Sequence, residues 1–411
     1  MHTQILITDI KDEDFFLLDL YRPASEFRYG GFSLRERLTI LVGKENIYYF
    51  LRDEDKARTI GERYGIPSNE IPSNNFIAIS TRVLGSLDEI NSLIKFLEKL
   101  ETNQVLVTDK GGFIGGKFDG EHFPPSNKSK KYMHKTLSRL YMEKPWDFIE
   151  RQPDIIRDDA LNKQLKKEFS VLKPNRGNWP ILAHKDGVYI ERYTYTDTRH
   201  GPIIISSNVE IQSFTRISGP SVIRENTILL SSLIRENTAI GPVCKIGGEV
   251  ADSLVDGYSN QTHKSYIGHS YVGQWVNIGA FTVTSDLKNT YGEIKFDLLG
   301  EKINTNQIKL GAFICDYAKT SISTSIMGGK LIGHFSHVIG PVYKSIPPFT
   351  IWNGYTNSLY NLYLDSAVKT QERMYARRKV KQLATERKLI EKLYRDTEKL
   401  REGKVNDRFT W

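Results

Sequence analysis

The sequence predicts an α/β N-terminal domain, then a parallel β-helix of hexapeptide repeats, and finally a C-terminal α-helix. Three observations lead to this fold class. Short apolar runs alternate with helical patterns early in the chain, which is typical of an α/β layer. Aliphatic residues recur every six positions between residues 198 and 352, and a final stretch lacks glycine and proline. We expect the domains at residues 1–180, 187–355 and 356–411.

The N-terminal elements follow from apolar patterns and from residues that start or end helices. Apolar runs predict strands at Ile5–Ile7, Ile47–Phe50, Phe76–Ile79 and Val105–Val107. Helices are predicted after a Ser33 cap, from Asp53 to Tyr64 before Gly65, and from Leu87 to Leu100. The alternation predicts a largely parallel sheet. Residues 119–180 are expected to connect this domain to the β-helix, with a charged helix from Asp158 to Phe169.

The six-residue period dominates the middle of the chain. Its members are Ile205, Ile211, Ile217, Ile223, Ile234, Ile240, Ile246, Val272, Ile278, Thr284, Ile314, Thr320, Ile326, Ile332 and Val338. This period fits neither an α-helix nor a simple strand. It is typical of a β-helix in which three short units form one triangular coil with the aliphatic side chain pointing inward. Glycines beside these residues, as in Ile240-Gly241, predict tight corners, some with positive φ. The alternative is a β-sandwich, whose strands alternate with period two.

Composition narrows the class of protein. The chain has 411 residues, 39% of them hydrophobic and 26% charged, which is ordinary for a globular protein. No apolar run approaches the roughly 20 residues that span a membrane, and the first residues do not resemble a signal peptide. Only Cys244 and Cys315 are present, outside any CxxC pair, so we expect no zinc site and a cytoplasmic location. The net charge of +8 indicates anionic ligands such as phosphates.

The stretch from Leu362 to Arg401 is helical in pattern and rich in lysine and arginine. We expect an amphipathic helix that packs on the β-helix or on a neighbouring subunit. A membrane surface or a nucleic acid is the alternative partner. Few aromatic residues interleave with the charges, so we expect no nucleic acid and no membrane as partners.

Two turns carry a family resemblance. His263-Lys264-Ser265-Tyr266-Ile267-Gly268 and Gly273-Gln274-Trp275-Val276-Asn277-Ile278-Gly279-Ala280 closely resemble the acyltransferase half of bifunctional glucosamine-1-phosphate acetyltransferase / N-acetylglucosamine-1-phosphate uridylyltransferase. The segments 241–249, 257–260, 21–31 and 79–84 are similar to a divergent branch of that family found in bacteria and archaea. The resemblance covers nearly the whole chain and implies a left-handed β-helix, a homotrimer and acetyl-CoA as the acyl donor.

The resemblance also implies roles for individual residues. His263 would be the catalytic base, Tyr266 and Asn277 would contact the sugar phosphate, and Ala280 and Ala312 would meet acetyl-CoA. A neutral imidazole can take the proton that an attacking amine must lose, and backbone N–H groups can stabilise an oxyanion. The family's sugar-phosphate lysine has no counterpart at its usual place. Lys245 or Lys264 would substitute for it.

Histidines allow two other interpretations of the same region. Taken without its flanking pattern, His263 is more typical of a structural turn residue than of a catalytic base. A metal cluster could join it to His269, His334 and His337, but the carboxylate and cysteine partners expected of such a site are not evident. We therefore expect no metal in this region.

The N-terminal half departs from the family further. No Gly-x-Gly-x-Arg loop follows the first strand, although such a loop cradles the triphosphate in sugar-1-phosphate nucleotidyltransferases. Arg22, Arg28 and Arg35 would supply positive charge instead. The metal-binding Asp expected after the strand at 76–79 is missing, and Asp109 is a weak substitute. An active domain using Mg²⁺ with UTP or dTTP and a catalytically dead relative both remain open, and we expect nucleotidyl transfer to be weak or absent.

Three functions are compatible with these features. The first is an enzyme of sugar-nucleotide biosynthesis, whose β-helix acetylates an amino-sugar phosphate and whose N-terminal domain is a diverged nucleotidyltransferase. The second is a non-catalytic trimeric scaffold that binds sugar phosphates. The third is a nucleotidyltransferase with a β-helix that only oligomerises. The family spacing of His263, Tyr266, Asn277 and Ala280 favours the first.

Overall fold

The computed structural model describes residues 3–12, 15–72, 75–125, 129–403, 405 and 409. The chain divides into two compact units. The first comprises Met1–Phe27, Phe32–Phe148 and Leu383–Leu389, and the second comprises Arg28–Gly31, Ile149–Gln382 and Ile390–Trp411. Among the described residues, no helix combines the length and the apolar composition needed to cross a membrane.

The first unit is built on a six-stranded sheet with the order β2-β1-β3-β5-β4-β6. Its strands are β1 (Ile5–Thr8), β2 (Ile47–Phe50), β3 (Phe76–Ser80), β4 (Gln104–Val107), β5 (Phe113–Phe118) and β6 (Lys130–Met133). The four predicted strands are confirmed. The sheet is mixed rather than largely parallel, because β5 runs antiparallel to both β3 and β4. Gly115 and Gly116 interrupt the apolar pattern of β5, and a Cβ at Gly115 would lie 2.8 Å from the Ala78 carbonyl oxygen.

Three helices of the described part of the chain begin where the sequence predicts, after Ser33, after Asp53 and at Leu87. In chain order, the helices are α1 (Leu34–Val42), α2 (Glu54–Tyr64), α3 (Leu87–Glu98), α4 (Lys135–Ser138), α5 (Asp147–Leu161), α6 (Lys163–Lys166), α7 (Leu364–Arg377), α8 (Ala384–Asp396) and α9 (Glu398–Arg401). Ser33 caps α1 in a reciprocal pair with Glu36. Asp53 caps α2, which ends at Gly65 with φ 61°. Short 3₁₀ turns lie at Ala24–Glu26, Tyr29–Gly31 and Lys44–Asn46.

Two helix predictions are wrong in their bounds. The charged helix predicted from Asp158 to Phe169 begins at Asp147 instead, and it runs through Pro153. The proline indicates a helix end on sequence grounds, because it lacks the N–H of an intrahelical bond. The C-terminal helix predicted as one element is three. The backbone turns at Lys379 with φ 55° between α7 and α8, and Thr397 separates α8 from α9.

The second unit is the predicted left-handed parallel β-helix, with about ten turns. Its strands form three parallel faces. Face 1 contains Ile181–His184, Ile203–Ile205, Ser221–Ile223, Thr238–Ile240, Leu254–Val255, Tyr271–Val272, Phe313–Ile314 and Leu331–Ile332, with Phe169–Leu172 antiparallel at its start. Face 2 contains Tyr189–Ile190, Glu210–Ile211, Ile228–Leu229, Lys245–Ile246, Asn260–Gln261, Lys319–Thr320, His337–Ile339 and Thr350–Asn353, with Ser358–Asn361 antiparallel at its end. Face 3 contains Arg176–Gly177, Tyr195–Thr198, Arg216–Ser218, Leu233–Ile234, Glu249–Ala251, Tyr266–Gly268, Val283–Thr284 and Ser325–Ile326.

The residues that share the six-residue period lie in the core of this unit, together with other inward-pointing side chains such as Val250 and Ile267. All of them are buried. In face 3, for example, Ile217 pairs with Ile234 and Val250 pairs with Ile267, so inward side chains of successive coils stack on each other. The period-six prediction is confirmed, and the sandwich alternative is excluded by the parallel pairing.

The corners differ from the sequence expectation. The glycines predicted there, including Gly241, Gly273 and Gly333, do not have positive φ. The left-handed conformation falls instead on other residues, such as Asn208 and Phe214. Gly333 is required for a different reason, because a Cβ there would lie 2.4 Å from the Pro348 nitrogen of the next coil.

An aromatic ladder occupies the corner between faces 1 and 2, which we call the first corner. Its members are Tyr258, Trp275, Tyr317, Phe335 and Phe349, all with φ between 55° and 64°. Tyr258 stacks on Trp275 at 4.3 Å, and Tyr317 stacks on Phe335 at 4.5 Å between ring centroids. Tyr375 of α7 packs against Trp275 at 4.5 Å and hydrogen-bonds the Tyr317 hydroxyl. The ladder therefore holds α7 against the β-helix. This is the first of the two arrangements that we expected for the C-terminal helix, the other being packing on a neighbouring subunit.

An insertion interrupts the coils after face 3. Residues 285–311 leave the β-helix and form an antiparallel hairpin of Ile294–Leu298 and Glu301–Gln307. The insertion and a neighbouring coil enclose a cavity of about 510 Å³. Its charged lining residues are Lys288, Lys295, Lys302 and Lys330.

Candidate functional site

His263 lies on the turn from face 2 to face 3, which we call the second corner. Its side chain is exposed, as is that of Lys264. Successive coils stack their turns at this corner, because the Phe281 N–H donates to the Lys264 carbonyl at 2.7 Å and the Ser323 N–H donates to the Ala280 carbonyl at 2.8 Å. The structure therefore places the His263 turn and the Ala280 turn directly beside each other.

Tyr266 and Asn277 flank this corner on two different faces. Tyr266 opens the next face-3 strand and pairs with Glu249 and Val283, while Ile267 points into the core. Asn277 is exposed on face 2, where it bridges Asn260 and Lys319. The residues named by the resemblance thus occupy one corner and the two strand ends that meet there.

A hydrogen-bonded network at Tyr266 was not foreseen from the sequence. The Tyr266 hydroxyl donates to Asp286 Oδ2 at 3.1 Å, and His269 Nδ1 lies 2.7 Å from the same oxygen. The hydrogen bond from His269 lowers the pKa of Asp286, whereas burial and then Asp286 raise the pKa of Tyr266. Asp286 lies twenty positions beyond Tyr266, so only the coil stacking brings these groups together.

The two alanines expected at acetyl-CoA differ in position. Ala280 is half-buried on the second corner, and its carbonyl already accepts from Ser323. Ala312 is fully buried in the core of the β-helix, and its N–H donates to Ser270 Oγ at 2.9 Å. The Ala312 side chain is therefore a core group, and contact with a ligand through it would require the core to open.

The remaining histidines do not gather around His263. His334 is buried, and burial together with Lys319 lowers the pKa of His337 to about 3. Across the part of the chain that the structure describes, no three histidine, cysteine or acidic side chains lie close enough to hold a metal ion.

In the first unit, a carboxylate lies at the carboxyl ends of β1 and β3. Asp12 Oδ2 accepts from Ser80 Oγ at 2.7 Å and from Thr81 Oγ1 at 3.0 Å, and its Oδ1 accepts from Tyr141 at 3.2 Å. Burial raises the pKa of Asp12 to about 6. Ligands of open α/β sheets bind outside the carboxyl ends of strands. An acidic residue from the loop after β1 thus lies at the end of β3, where the sequence itself has none, whereas Asp109 is exposed after β4.

This carboxylate does not fit a magnesium ion as it stands. Mg²⁺ requires octahedral coordination by carboxylate oxygens and several waters. Both Asp12 oxygens accept hydroxyl hydrogen bonds in a buried setting, and Asp9 Oδ1 accepts the Arg52 N–H at 2.8 Å. Within the described part of this unit we therefore assign no metal site.

The three arginines expected at a nucleotide are all committed to the protein. Arg22 donates to the Glu26 carbonyl at 2.5 Å. Arg35 makes a two-point ion pair with the Glu26 carboxylate, with both distances 2.9 Å. Arg28 pairs with Asp256 at 2.8 Å within the second unit. Because each guanidinium is buried with a protein partner, none of them offers charge to a nucleotide in this arrangement.

Comparison with known proteins extends this picture. Residues 4–172 match the family model of sugar nucleotidyl transferases. The chain is 26% identical over 256 residues to a bifunctional sugar-1-phosphate nucleotidylyltransferase/acetyltransferase of Sulfurisphaera tokodaii, covering 57% of this chain and 63% of that protein. It is 22% identical over 306 residues to the bifunctional protein GlmU of Methanocaldococcus jannaschii, covering 68% and 66% respectively.

Among solved structures, a UDP-N-acetylglucosamine acyltransferase of Francisella novicida aligns with 14% identity and a TM-score of 0.34, covering 54% of this chain and 86% of that one. The matched regions span just under two thirds of the two bifunctional relatives. The resemblance inferred from the motifs is confirmed: residues 4–172 match the sugar nucleotidyl transferase model, and the chain is similar to bifunctional sugar-1-phosphate nucleotidylyltransferase/acetyltransferases.

Proposed function

We propose that the β-helix transfers the acetyl group of acetyl-CoA to the amino group of an amino-sugar phosphate. One observation carries the proposal. The second corner holds His263 exposed while the neighbouring Ile267 anchors its turn in the core. The same corner brings the Ala280 turn alongside, and Asn277 lies exposed on the adjoining strand.

The chemistry follows from these groups. The amine nitrogen attacks the thioester carbonyl, a C–N bond forms, and the C–S bond to CoA breaks. His263 accepts the proton that the amine loses and returns it to the departing sulfur. Within the described residues the Ala280 N–H has no hydrogen-bond acceptor, so it is suited to stabilise the negative oxygen of the tetrahedral intermediate. Lys264 lies next to the base and adds positive charge for the substrate.

His269 is the alternative base. A carboxylate orients it through Nδ1, as in the catalytic dyads in which an acid fixes an imidazole. Its Nε2, however, lies 3.8 Å from the Asp252 carboxylate, so acids flank both of its ring nitrogens. We therefore assign the base to His263 and a positioning role, through Asp286 and Tyr266, to His269.

A homotrimer is part of this proposal. Large apolar side chains project from the second corner in two pairs of neighbouring coils, and three coils without such a side chain lie between the pairs. The side chains are Tyr193, Phe214, Phe281 and Ile322, each between 65% and 76% exposed. An exposed apolar row of this kind indicates a protein interface, and closed rings cover such rows in symmetric oligomers. The row adjoins His263, so a second copy would lie at the candidate site.

The proposed activity is tested directly with a panel of substrates. The protein is mixed with acetyl-CoA and a set of amino-sugar 1-phosphates, and free CoA is measured with a thiol reagent. We expect CoA release with at least one amino sugar and none with its N-acetylated counterpart. Binding of sugar phosphates without CoA release from any of them would favour the non-catalytic scaffold.

The N-terminal domain has nucleotidyl transfer as its candidate activity because of the family match at residues 4–172. We expect this transfer to be weak or absent, since Asp12 is buried and the three arginines are committed to other groups. Release of pyrophosphate from UTP or dTTP and a sugar 1-phosphate measures it. Fast magnesium-dependent release would contradict this expectation. Fast release without acetyl transfer to any amino sugar would favour the third function, in which the β-helix only oligomerises.

A further inference from the structure

A second cavity of the β-helix unit lies on face 2 beneath α7. Its volume is about 460 Å³. The lining residues that matter for its chemistry are Lys245, Lys319, Arg377, Arg378, Asn277 and Trp275. Lys245, Asn277 and Lys319 come from one strand ladder, in which Asn260 lies between Lys245 and Asn277 and Lys319 follows Asn277 directly. The two arginines come from the end of α7.

The cavity carries four positive charges and no acidic lining residue. Arg378 donates to the Asn260 side chain at 2.7 Å, and Lys319 donates to the Tyr317 carbonyl at 2.9 Å. Both of these partners are neutral. In the described ranges, none of the four cations lies within ion-pair distance of a carboxylate. The cavity therefore holds four positive charges that no carboxylate of the described residues neutralises.

Such an arrangement is unfavourable without an anion. Like charges at close range repel, and a concave wall focuses their potential outward. Burial lowers the pKa of Lys319 to about 8, and His337 occupies the next rung. A bound dianion would reverse this repulsion, because each ammonium or guanidinium could then make a charge-assisted hydrogen bond.

The uncharged lining adds specificity. Tyr258 and Trp275 form an aromatic wall, held by their stacking and by Tyr375. Asn277 and Thr262 add polar groups to the lining. Thr262 directly precedes His263, so the cavity opens beside the second corner.

We propose that this cavity is a phosphate subsite, in which Lys245, Lys319, Arg377 and Arg378 bind the phosphate group of a phosphate monoester. It replaces the sugar-phosphate lysine that the sequence lacks at the family's usual place. The identity of the phosphate ligand rests on the proposed function: it is either the amino-sugar phosphate or the phosphate ester of CoA. The anion binding itself rests on the cavity alone.

The test is calorimetric titration of the full chain with glucosamine 1-phosphate, inorganic phosphate, CoA and dephospho-CoA. Lys319→Gln and Arg377→Gln should each weaken binding of the phosphate ligand about 10- to 100-fold, the usual effect of losing one charged hydrogen bond. Arg373→Gln is the matched control, since it is exposed one turn earlier on α7 and does not line the cavity. It should bind like the unmodified protein. Circular dichroism of each variant shows that the fold is retained, and Arg377→Gln serves if Lys319→Gln fails to fold.

The four ligands separate the sources. Tighter binding of CoA than of dephospho-CoA, lost in the variants, assigns the subsite to the acyl donor. Variant-sensitive binding of glucosamine 1-phosphate assigns it to the acceptor. Equal affinities of the Lys319→Gln and Arg377→Gln variants and the unmodified protein for all four ligands would overturn the proposal.

The subsite and the acetyl transfer can fail separately. Anion binding without any CoA release leaves the subsite standing and removes the acetyltransferase. CoA release that both variants retain at the unmodified KM removes the subsite and leaves the acetyltransferase. His263→Ala should abolish transfer and keep the phosphate affinity.

Discussion

Lys319 offers a prediction at the scale of one residue. Burial lowers its pKa from 10.5 to about 8, so the folded state binds fewer protons than the unfolded state between these values. The destabilisation is therefore complete below pH 8 and is relieved as the pH rises towards 10.5. Lys319→Met should raise the free energy of unfolding at pH 7 by roughly 1–3 kcal/mol, and the gain should shrink above pH 9.

Urea denaturation at several pH values measures this effect. The groups that face Lys319 are His337 on the next rung, Lys245 on face 2, and Arg377 and Arg378 on α7. None of them is acidic, so none offsets the effect. Lys369→Met is the control, because that lysine is exposed on α7. A Lys319→Met protein that is less stable than the unmodified one at pH 7 would show that the ammonium has a compensating partner.

For single residues, the sequence predicts whether a side chain is buried or exposed better than it predicts which groups that side chain contacts. The exposure of His263 and the inward direction of Ile267 follow from the six-residue period. The commitment of Arg35 to Glu26 does not, because the ion pair depends on how a 3₁₀ turn packs against α1. Likewise, Asp286 contacts Tyr266 only because successive coils stack, and no local sequence pattern predicts that contact.

At the scale of elements, Gly333 tests the account of the corners. A Cβ at this position would lie 2.4 Å from the Pro348 nitrogen and 2.7 Å from the Pro347 carbonyl carbon. Both are backbone atoms of the adjacent coil and cannot rotate away. Gly333→Ala should therefore lower the free energy of unfolding by about 1–3 kcal/mol, as overpacking does.

Gly292→Ala is the control in the same unit, since its nearest atom would be 3.8 Å away. It should change stability by less than about 0.5 kcal/mol. Equal midpoints of urea unfolding for the two variants would mean that the corner relaxes freely, and the close-approach explanation would be wrong.

Regular repetition made the elements of the β-helix predictable. The aromatic ladder also repeats, with Tyr258, Trp275, Tyr317, Phe335 and Phe349 each three residues before an inward position. The aliphatic period alone does not indicate this ladder, because its members are aromatic and lie at the corners. The strand Phe113–Phe118 and the helix from Asp147 have no such repetition. Gly115 interrupts the apolar pattern of the strand, and Pro153 indicates a helix end inside the helix.

At the scale of the whole molecule, the exposed apolar row predicts the oligomer. We expect sedimentation velocity to give about three times the chain mass of 47.1 kDa. Ile322→Asp should shift the protein towards monomer, because it places a charge in the row. Ile308→Asp should not, since that exposed residue lies in the insertion at 285–311, just after the hairpin. A monomer at micromolar concentration in the unmodified protein would remove the trimer.

The arrangement of domains was only partly predictable. The alternation of strands and helices indicated the first unit, and the period-six pattern indicated the second. The division of the chain near Phe148 and the assignment of Arg28–Gly31 to the second unit follow from contacts between distant residues. No composition shift marks either place in the sequence.

The central claim is that His263 is the base of an acetyl transfer at the second corner. The most direct test compares kcat/KM for CoA release in His263→Ala and His269→Ala with the unmodified protein. His263→Ala should lose about 10²–10⁴ of the rate and no more than about 0.5 kcal/mol of stability, since the side chain is exposed. His269→Ala should retain most of the rate. Full activity in His263→Ala, or a loss confined to His269→Ala, would contradict the account.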